Sequence, residues 1–299
     1  MPRTLAERLG FDAADRVAIV HADDIGMCHA ANVGAFQVLR EGSATCGSLM
    51  VPCPWLREAV ELAKAGPELD LGVHLTLNAE WPQYRWGPVA GRSAVPSLLD
   101  EEGFLPLTSI ETVKRAKPEE VEVELRAQVE MALEAGIDVT HLDSHMGTVF
   151  FPPFLESYRK LAAEFRLPVF AVRPDPQVLA ARGLQGAVEI LNWLVGSLEA
   201  EGFPILDGFD ADSLDFAEGE GLAHNRKRIE GLRAGVNYLI CHPARGGEEL
   251  SAITPGSAHH RDFERGFYGG VEGARAFEEE GVKRIGMRAL RDLLRGERG

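Results

Sequence analysis

An α/β fold in the form of a distorted (β/α) barrel is what this chain predicts, and three observations lead there. Short apolar runs alternate with longer amphipathic ones about seven times, the signature of parallel strands joined by helices. No Gly-x-Gly-x-x-Gly follows the first run and no Gly-x-x-x-x-Gly-Lys-Ser/Thr occurs anywhere, which removes the main support for an open nucleotide-binding sheet. The length, 299 residues, suits one barrel domain spanning 1–299.

Val17-Ala18-Ile19-Val20 reads as a buried strand, followed by a helical pattern over Ala30–Arg40. Ser48–Val51 is the second strand, with a helix through Trp55–Ala65, and Leu71–Leu77 is the third. Pro118–Ala135 is the clearest helix: proline at its start, acidic residues in its first turn, Gly136 just past its end. Strand Val139–Leu142 and helix Phe154–Phe165 follow, then Pro168–Val172 as a strand and Ala187–Ala200 as a helix. Pro204–Leu206, helix Leu222–Ala234 and strand Val236–Cys241 complete the series, and two amphipathic segments close it. Segments 78–117 and 243–270 are too long for simple connections, and both follow strands, so they belong to the rim at the barrel's C-terminal mouth. The first carries Trp81, Tyr84 and Trp86, which either stack on sugar rings or cover the loop's own small core.

With 46 acidic against 31 basic residues the formal charge is −15, a field that repels nucleic acid and anionic membrane surfaces. Cys28, Cys46, Cys53 and Cys241 show no Cys-x-x-Cys pairing, which argues against a thiolate zinc site or a disulfide framework. No window approaches the roughly 20 apolar residues of a membrane span, and the N-terminus lacks a signal-peptide core. A reducing cytoplasm is the expected setting, and the sequence leaves room for a homodimer.

Four strand ends carry polar clusters: His21-Ala22-Asp23-Asp24, Gly72-Val73-His74, His141-Leu142-Asp143-Ser144-His145 and Cys241-His242-Pro243. In a (β/α) barrel these ends converge on one mouth. Alternation along an extended strand puts His141, Asp143 and His145 on one side, and puts His74 with Gly72 and Thr76, away from Leu71, Val73, Leu75 and Leu77. Adjacent carboxylates at a strand end repel unless one binds a cation or a proton, although a turn or helix cap is the structural alternative for Asp23-Asp24. A carboxylate and two imidazoles from three strand ends make a two-histidine, one-carboxylate site for a divalent ion such as Zn²⁺ or Mg²⁺. The other aspartate is then free as general base, and His242 faces it across the mouth as a proton donor to a leaving group. This is equipment for hydrolysing an amide or ester.

The same residues resemble a known family, the YdjC-like (ChbG/HpnK) carbohydrate deacetylases. His21-Ala22-Asp23-Asp24-Ile25-Gly26, with Asn32 and Gly34 downstream, is similar to that family's Asn-Ala-Asp-Asp-Phe-Gly block. Leu71–Leu77 is similar to its Gly-x-His-Leu block, His141–His145 with Phe151-Pro152 and Val172-Arg173 to its most specific string, and Tyr238–Pro243 to its Cys-His-Pro block. The resemblance implies a distorted barrel related to polysaccharide deacetylases, acting on an N-acetylated sugar or oligosaccharide. It implies one divalent metal on Asp24, His74 and His145, Asp23 as base and His242 as acid. His141 and Asp143 then orient ligands from behind, and Arg173 and Arg245 are candidates for binding substrate oxygens, a structural salt bridge being the alternative for each. The chain departs from the family in three places: His21 stands for the usual asparagine, Cys28 for a small hydroxyl residue, and Met146-Gly147-Thr148 for further histidines. Three other readings stay open: a non-haem Fe(II) enzyme with the same ligand type, a catalytically silent metal- or sugar-binding protein, and a sugar isomerase.

Overall fold

The computed structural model describes residues 3–177, 186 and 188–297. Its centre is an all-parallel sheet in the order β4-β3-β2-β1-β6-β5. The strands are β1 (Arg16–Ile25), β2 (Cys46–Leu49), β3 (Leu71–Leu75), β4 (Val139–Ser144), β5 (Gly208–Asp210) and β6 (Gly235–Cys241), and a short β7 (Lys283–Arg284) pairs with the start of β1. Around them lie α1 (Leu5–Arg8), α2 (His29–Arg40), α3 (Leu56–Lys64), α4 (Ser109–Arg115), α5 (Pro118–Glu134), α6 (Leu155–Phe165), α7 (Val188–Ala200), α8 (Gly221–Glu230), α9 (Glu248–Ile253), α10 (Ala258–Gly269), α11 (Val271–Glu279) and α12 (Met287–Arg295). Ala187, the first residue of the helix expected at 187–200, lies outside the described residues.

The barrel is distorted where the sequence expects two ordinary strands. Pro168–Val172 and Pro204–Leu206 each make only isolated parallel bridges, Leu142 with Val169 and Val172 with Leu206. Backbone bonds from Phe170 N–H to Leu142 and from Leu206 N–H to Ala171 carry the hydrogen bonding from β4 round towards β5. The long segments are not irregular loops either: 78–117 contains α4, and 243–270 contains α9 and α10. Buried Glu124 of α5 accepts the N–H groups of Val89 and Ala90, which ties the first of these segments to the barrel wall.

Alternation sets the layers. Ala18, Val20 and Ala22 of β1 face outward into the main core with Val73, Leu75, Leu142 and Leu239. The opposite face contributes Val17, Ile19, Cys46, Leu206, Val236 and Tyr238 to a second cluster inside the barrel, which Leu5 of α1, Leu9 just after it, and Met287 and Leu290 of α12 plug from below. Further along the same inward face, apolar side chains give way to His21, Asp23, His74, His141 and Asp143, all buried.

Gly72 makes room for this polar layer. A Cβ there would sit 2.6 Å from Cε1 of His141, whose ring lies across the glycine. Gly72→Ala should therefore cost about 1–3 kcal/mol through overpacking, read as a lower midpoint in denaturant unfolding; an unchanged midpoint would show that His141 has other room.

Candidate metal-binding and catalytic centre

Two irregularities aim the inward groups. Between Ala22 and Ile25 the β1–β2 register slips by one residue, and Asp24 takes a left-handed backbone with φ of 65°. Regular alternation would send Asp23 and Asp24 to opposite faces; the bulge turns both inward. Such a conformation is costly for a non-glycine residue and is typical of functional sites. Asn32 of α2 holds the turn that follows, its Oδ1 accepting the Gly26 N–H at 2.7 Å. A second slip in β4, between Val139 and Leu142, lies at the start of the run in which His141, Asp143 and His145 share the interior by alternation.

Asp24 Oδ1 lies 3.3 Å from Nδ1 of His145 and 3.5 Å from Nε2 of His74. It is buried and has no hydrogen-bond partner. Donor atoms of the three residues fall within 4.8 Å of one another. Ligands about 2.0–2.2 Å from a shared ion would stand roughly 2.9–3.6 Å apart, so the trio fits a divalent ion. Each histidine gives its other nitrogen to a carboxylate, the arrangement that fixes tautomer and ring orientation in metal sites. His74 Nδ1–H donates to Asp143 Oδ2 at 2.9 Å, which also accepts the Ser48 hydroxyl at 3.1 Å, and His145 Nε2–H donates to Glu80 Oε2 at 2.8 Å. On the far side Arg261 of α10 donates to Asp24 Oδ2 at 2.7 Å.

The electrostatics agree. Burial opposes charge on both imidazoles, yet Asp143 and Asp23 lift His74 well above its usual value, and Glu80 with Asp24 lifts His145 to about 9. Burial likewise penalises the Asp24 anion, but Arg261 and the two histidines hold it well below the carboxylate range. A negative potential strong enough to charge two buried rings also attracts a cation. Glu80→Gln should weaken divalent-ion binding about 10–100-fold with the fold intact, measured by metal titration; unchanged affinity would mean that Glu80 does not orient His145.

Asp23 sits between His74 of the ion site and His242. Its Oδ1 accepts from His21 Nδ1 at 2.5 Å, while Oδ2 lies 3.8 Å from His74 Nε2 and 3.7 Å from His242 Nε2. His242 is fixed from behind. Its Nδ1–H reaches Ser213 Oγ at 2.8 Å, Ser213 donates to Glu264 Oε2 at 2.7 Å, and the same carboxylate takes the His242 backbone N–H. Burial pushes the His242 ring down to about 4 and lifts Glu264 to about 7. Gly34 allows this arrangement, because a Cβ there would lie 2.5 Å from the carbonyl oxygen of Pro243.

The expected substrate-contacting residues fare differently. Trp86 is 3% exposed, with Trp81, Tyr84 and His145 against its ring, so it belongs to the loop's own core and has no free face for a sugar. Tyr84 is spent on structure too, its hydroxyl donating to the Met27 carbonyl. Trp81 is half-buried and keeps some exposed surface. Arg173 bonds Glu199 and lines a cavity of about 720 Å³ with Asp207 and Arg233, whose described lining includes none of the cluster. Arg245 is exposed three residues beyond His242. Cys28 does the work of the hydroxyl residue it replaces: its Sγ accepts the Ala31 N–H as the cap of α2. Met146, at φ of 53° and 46% exposed, stands at the surface next to His145, and buried Thr148 bonds Asn78.

The family profile described as "YdjC-like protein" matches residues 17–278. The chain belongs to the YdjC-like family. A Thermus thermophilus protein named carbohydrate deacetylase is 43% identical over 263 residues, 87% of this chain and 89% of that one. A carbohydrate deacetylase of Thermoanaerobacter pseudethanolicus is 26% identical over 234 residues, 78% and 82% of the two chains. An Enterococcus faecalis protein named for cellobiose-phosphate cleavage superposes with a TM-score of 0.74 at 25% identity, covering 92% of this chain and 99% of that one. All four motif blocks of this YdjC-like chain lie inside the matched region, and Glu80, Ser213, Arg261 and Glu264 lie there too.

Proposed function

We propose that the protein is a metal-dependent hydrolase that removes the acetyl group from an N-acetylated sugar or oligosaccharide. The observation that carries this reading is the Asp24–His74–His145 trio, with Asp23 and His242 3.7 Å apart beside it. A divalent ion held by the trio would polarise the amide carbonyl and acidify a water. The remaining chemistry belongs to the side chains. Asp23 Oδ2 takes the proton of the attacking water. His242 Nε2 faces the same space and, once it has taken up a proton there, passes it to the departing amine nitrogen. Its Nδ1–H, held by Ser213, keeps Nε2 turned towards the substrate. Arg261 balances the charge of Asp24 and keeps Oδ2 of that residue out of the reaction.

Relatives named carbohydrate deacetylase support the acyl group and the sugar class. No helix among the described residues is long and apolar enough to cross a membrane. All four cysteines are free and buried, which suits the reducing cytoplasm to which we assign the protein. The test is acetate release from a panel of N-acetylated mono- and oligosaccharides, with and without chelator. Release that chelator abolishes supports the reading, and no release from any sugar by metal-replete protein overturns it.

A further inference from the structure

Behind His145 two short segments meet at two points. Glu80 Oε2 accepts the His145 Nε2–H at 2.8 Å, and two residues before Glu80 the Oδ1 of Asn78 accepts the Thr148 hydroxyl at 2.5 Å. Ser109, the first residue of α4, donates in turn to Thr148 Oγ1 at 2.8 Å. Asn78 spends its Nδ2 hydrogens on Thr112 Oγ1 at 2.9 Å and on the Pro106 carbonyl, and Thr112 donates to the Leu77 carbonyl at 3.2 Å. Every hydroxyl and amide hydrogen of this group has an acceptor, so the network is complete. Asn78, Thr112 and Thr148 are fully enclosed. An enclosed side chain cannot touch a sugar, so the departure from the family's histidines at Thr148 acts on the protein itself.

The backbone between the two contacts is unusual. Met146 and Gly147 are left-handed in succession, with φ of 53° and 64°. That region is costly for a methionine, and a residue stays there only where its surroundings fix it. Both ends of this turn are fixed. Ser144 Oγ accepts the Val149 N–H at 3.2 Å, and Thr148 is pinned to Asn78 and Ser109. A single contact between two segments is a pivot. A second contact, three residues further along one segment and two residues back along the other, sets their register. The Asn78–Thr148 bond therefore decides where Glu80 meets the His145 ring.

We propose that Thr148, through Asn78, is a positioning residue for His145: the buried Asn78–Thr148 bond clamps residues 78–80 against 145–148, so that Glu80 braces the ring and Nδ1 stays turned to Asp24. The proposal rests on the reading of Asp24, His74 and His145 as a divalent-ion site. Nδ1 lies 3.3 Å from Asp24 Oδ1, and the bond from Nε2–H to Glu80 fixes both the tautomer and the ring angle that present its lone pair there. Loss of the Thr148 hydroxyl leaves the enclosed Asn78 Oδ1 without that donor and releases one end of the left-handed turn. Glu80 and His145 then meet at one point alone, and the ring loses its fixed angle to Asp24.

Two substitutions at one position test the clamp. Thr148→Val keeps the shape and removes the hydroxyl, whereas Thr148→Ser keeps the hydroxyl. In titration of the whole chain with Zn²⁺, Thr148→Val should bind about tenfold or more weakly than wild type, and Thr148→Ser should bind as wild type does. Wild-type affinity in Thr148→Val overturns the proposal. A cycle with Glu80→Gln separates positioning from a general loss of structure. If Thr148 acts through Glu80, the double variant binds Zn²⁺ about as weakly as Glu80→Gln alone; losses that multiply overturn the proposal. Ring-nitrogen NMR of histidine-labelled, ion-free protein at one pH reads the clamp without any metal. Thr148→Val should change the His145 signals and Thr148→Ser should leave them in place; unchanged signals in Thr148→Val overturn the proposal. If the signals change in this way while the wild type binds no Zn²⁺, the clamp stands and the metal reading is what fails.

Discussion

His145→Ala protein should fold, lose its tightly bound divalent ion and release acetate at least about 10³-fold more slowly than wild type, the equivalent of several kcal/mol of lost transition-state stabilisation. The size of the effect follows from the geometry. His145 supplies one of the two imidazoles within 3.5 Å of Asp24 Oδ1, and its other nitrogen is braced by Glu80. Removing the ring leaves Asp24 with Arg261 and His74 alone, a pair that cannot enclose an ion. His74→Ala should fail in the same way but with a larger fall in melting temperature, because it also strips a partner from fully buried Asp143, whose carboxyl His74 and His21 hold low against the cost of burial. Metal content, acetate release and thermal melting on the same preparations check both expectations. A metal-free His145→Ala enzyme with wild-type turnover would refute them.

The adjacent aspartates should separate cleanly. Asp23→Asn is expected to keep the ion and lower kcat by about 10²–10⁴, the usual contribution of a positioned general base, with little change in KM. Asp24→Asn should instead lose the ion, since only Asp24 directs an unpartnered buried oxygen at both histidines. Metal analysis beside steady-state kinetics distinguishes the two. The reverse pattern, with Asp23→Asn metal-free and Asp24→Asn metal-bound, would exchange their roles.

Much of this centre was legible in the chain because strands alternate. His74 with Gly72, and His141 with Asp143 and His145, could be placed on an inward face from spacing alone, and the structure puts them there. What spacing could not show is that Asp23 and Asp24 share that face, since regular alternation forbids it and only a bulge permits it. Glu80, Ser213, Arg261 and Glu264 were missed for another reason. They come from segments outside the strands and meet the centre only through tertiary packing, at sequence separations that periodicity does not read. Arg261 and Glu264 do carry a signal: with Phe267 and Tyr268 they repeat at helical spacing through a stretch read as a rim loop, and all four are buried along α10. Trp86 misled because an aromatic residue in a rim loop is equally suited to stacking on a sugar and to filling the loop's own core.

The central claim, that one ion on Asp24, His74 and His145 is required for removal of an acetyl group, is tested most directly by metal removal and return on the wild-type protein. Chelated protein should bind no ion and release no acetate from an N-acetylated sugar that the replete enzyme hydrolyses. Adding back one equivalent of Zn²⁺ or Mg²⁺ should restore the rate, with binding saturating at one ion per chain. Undiminished acetate release from fully chelated protein would contradict the account.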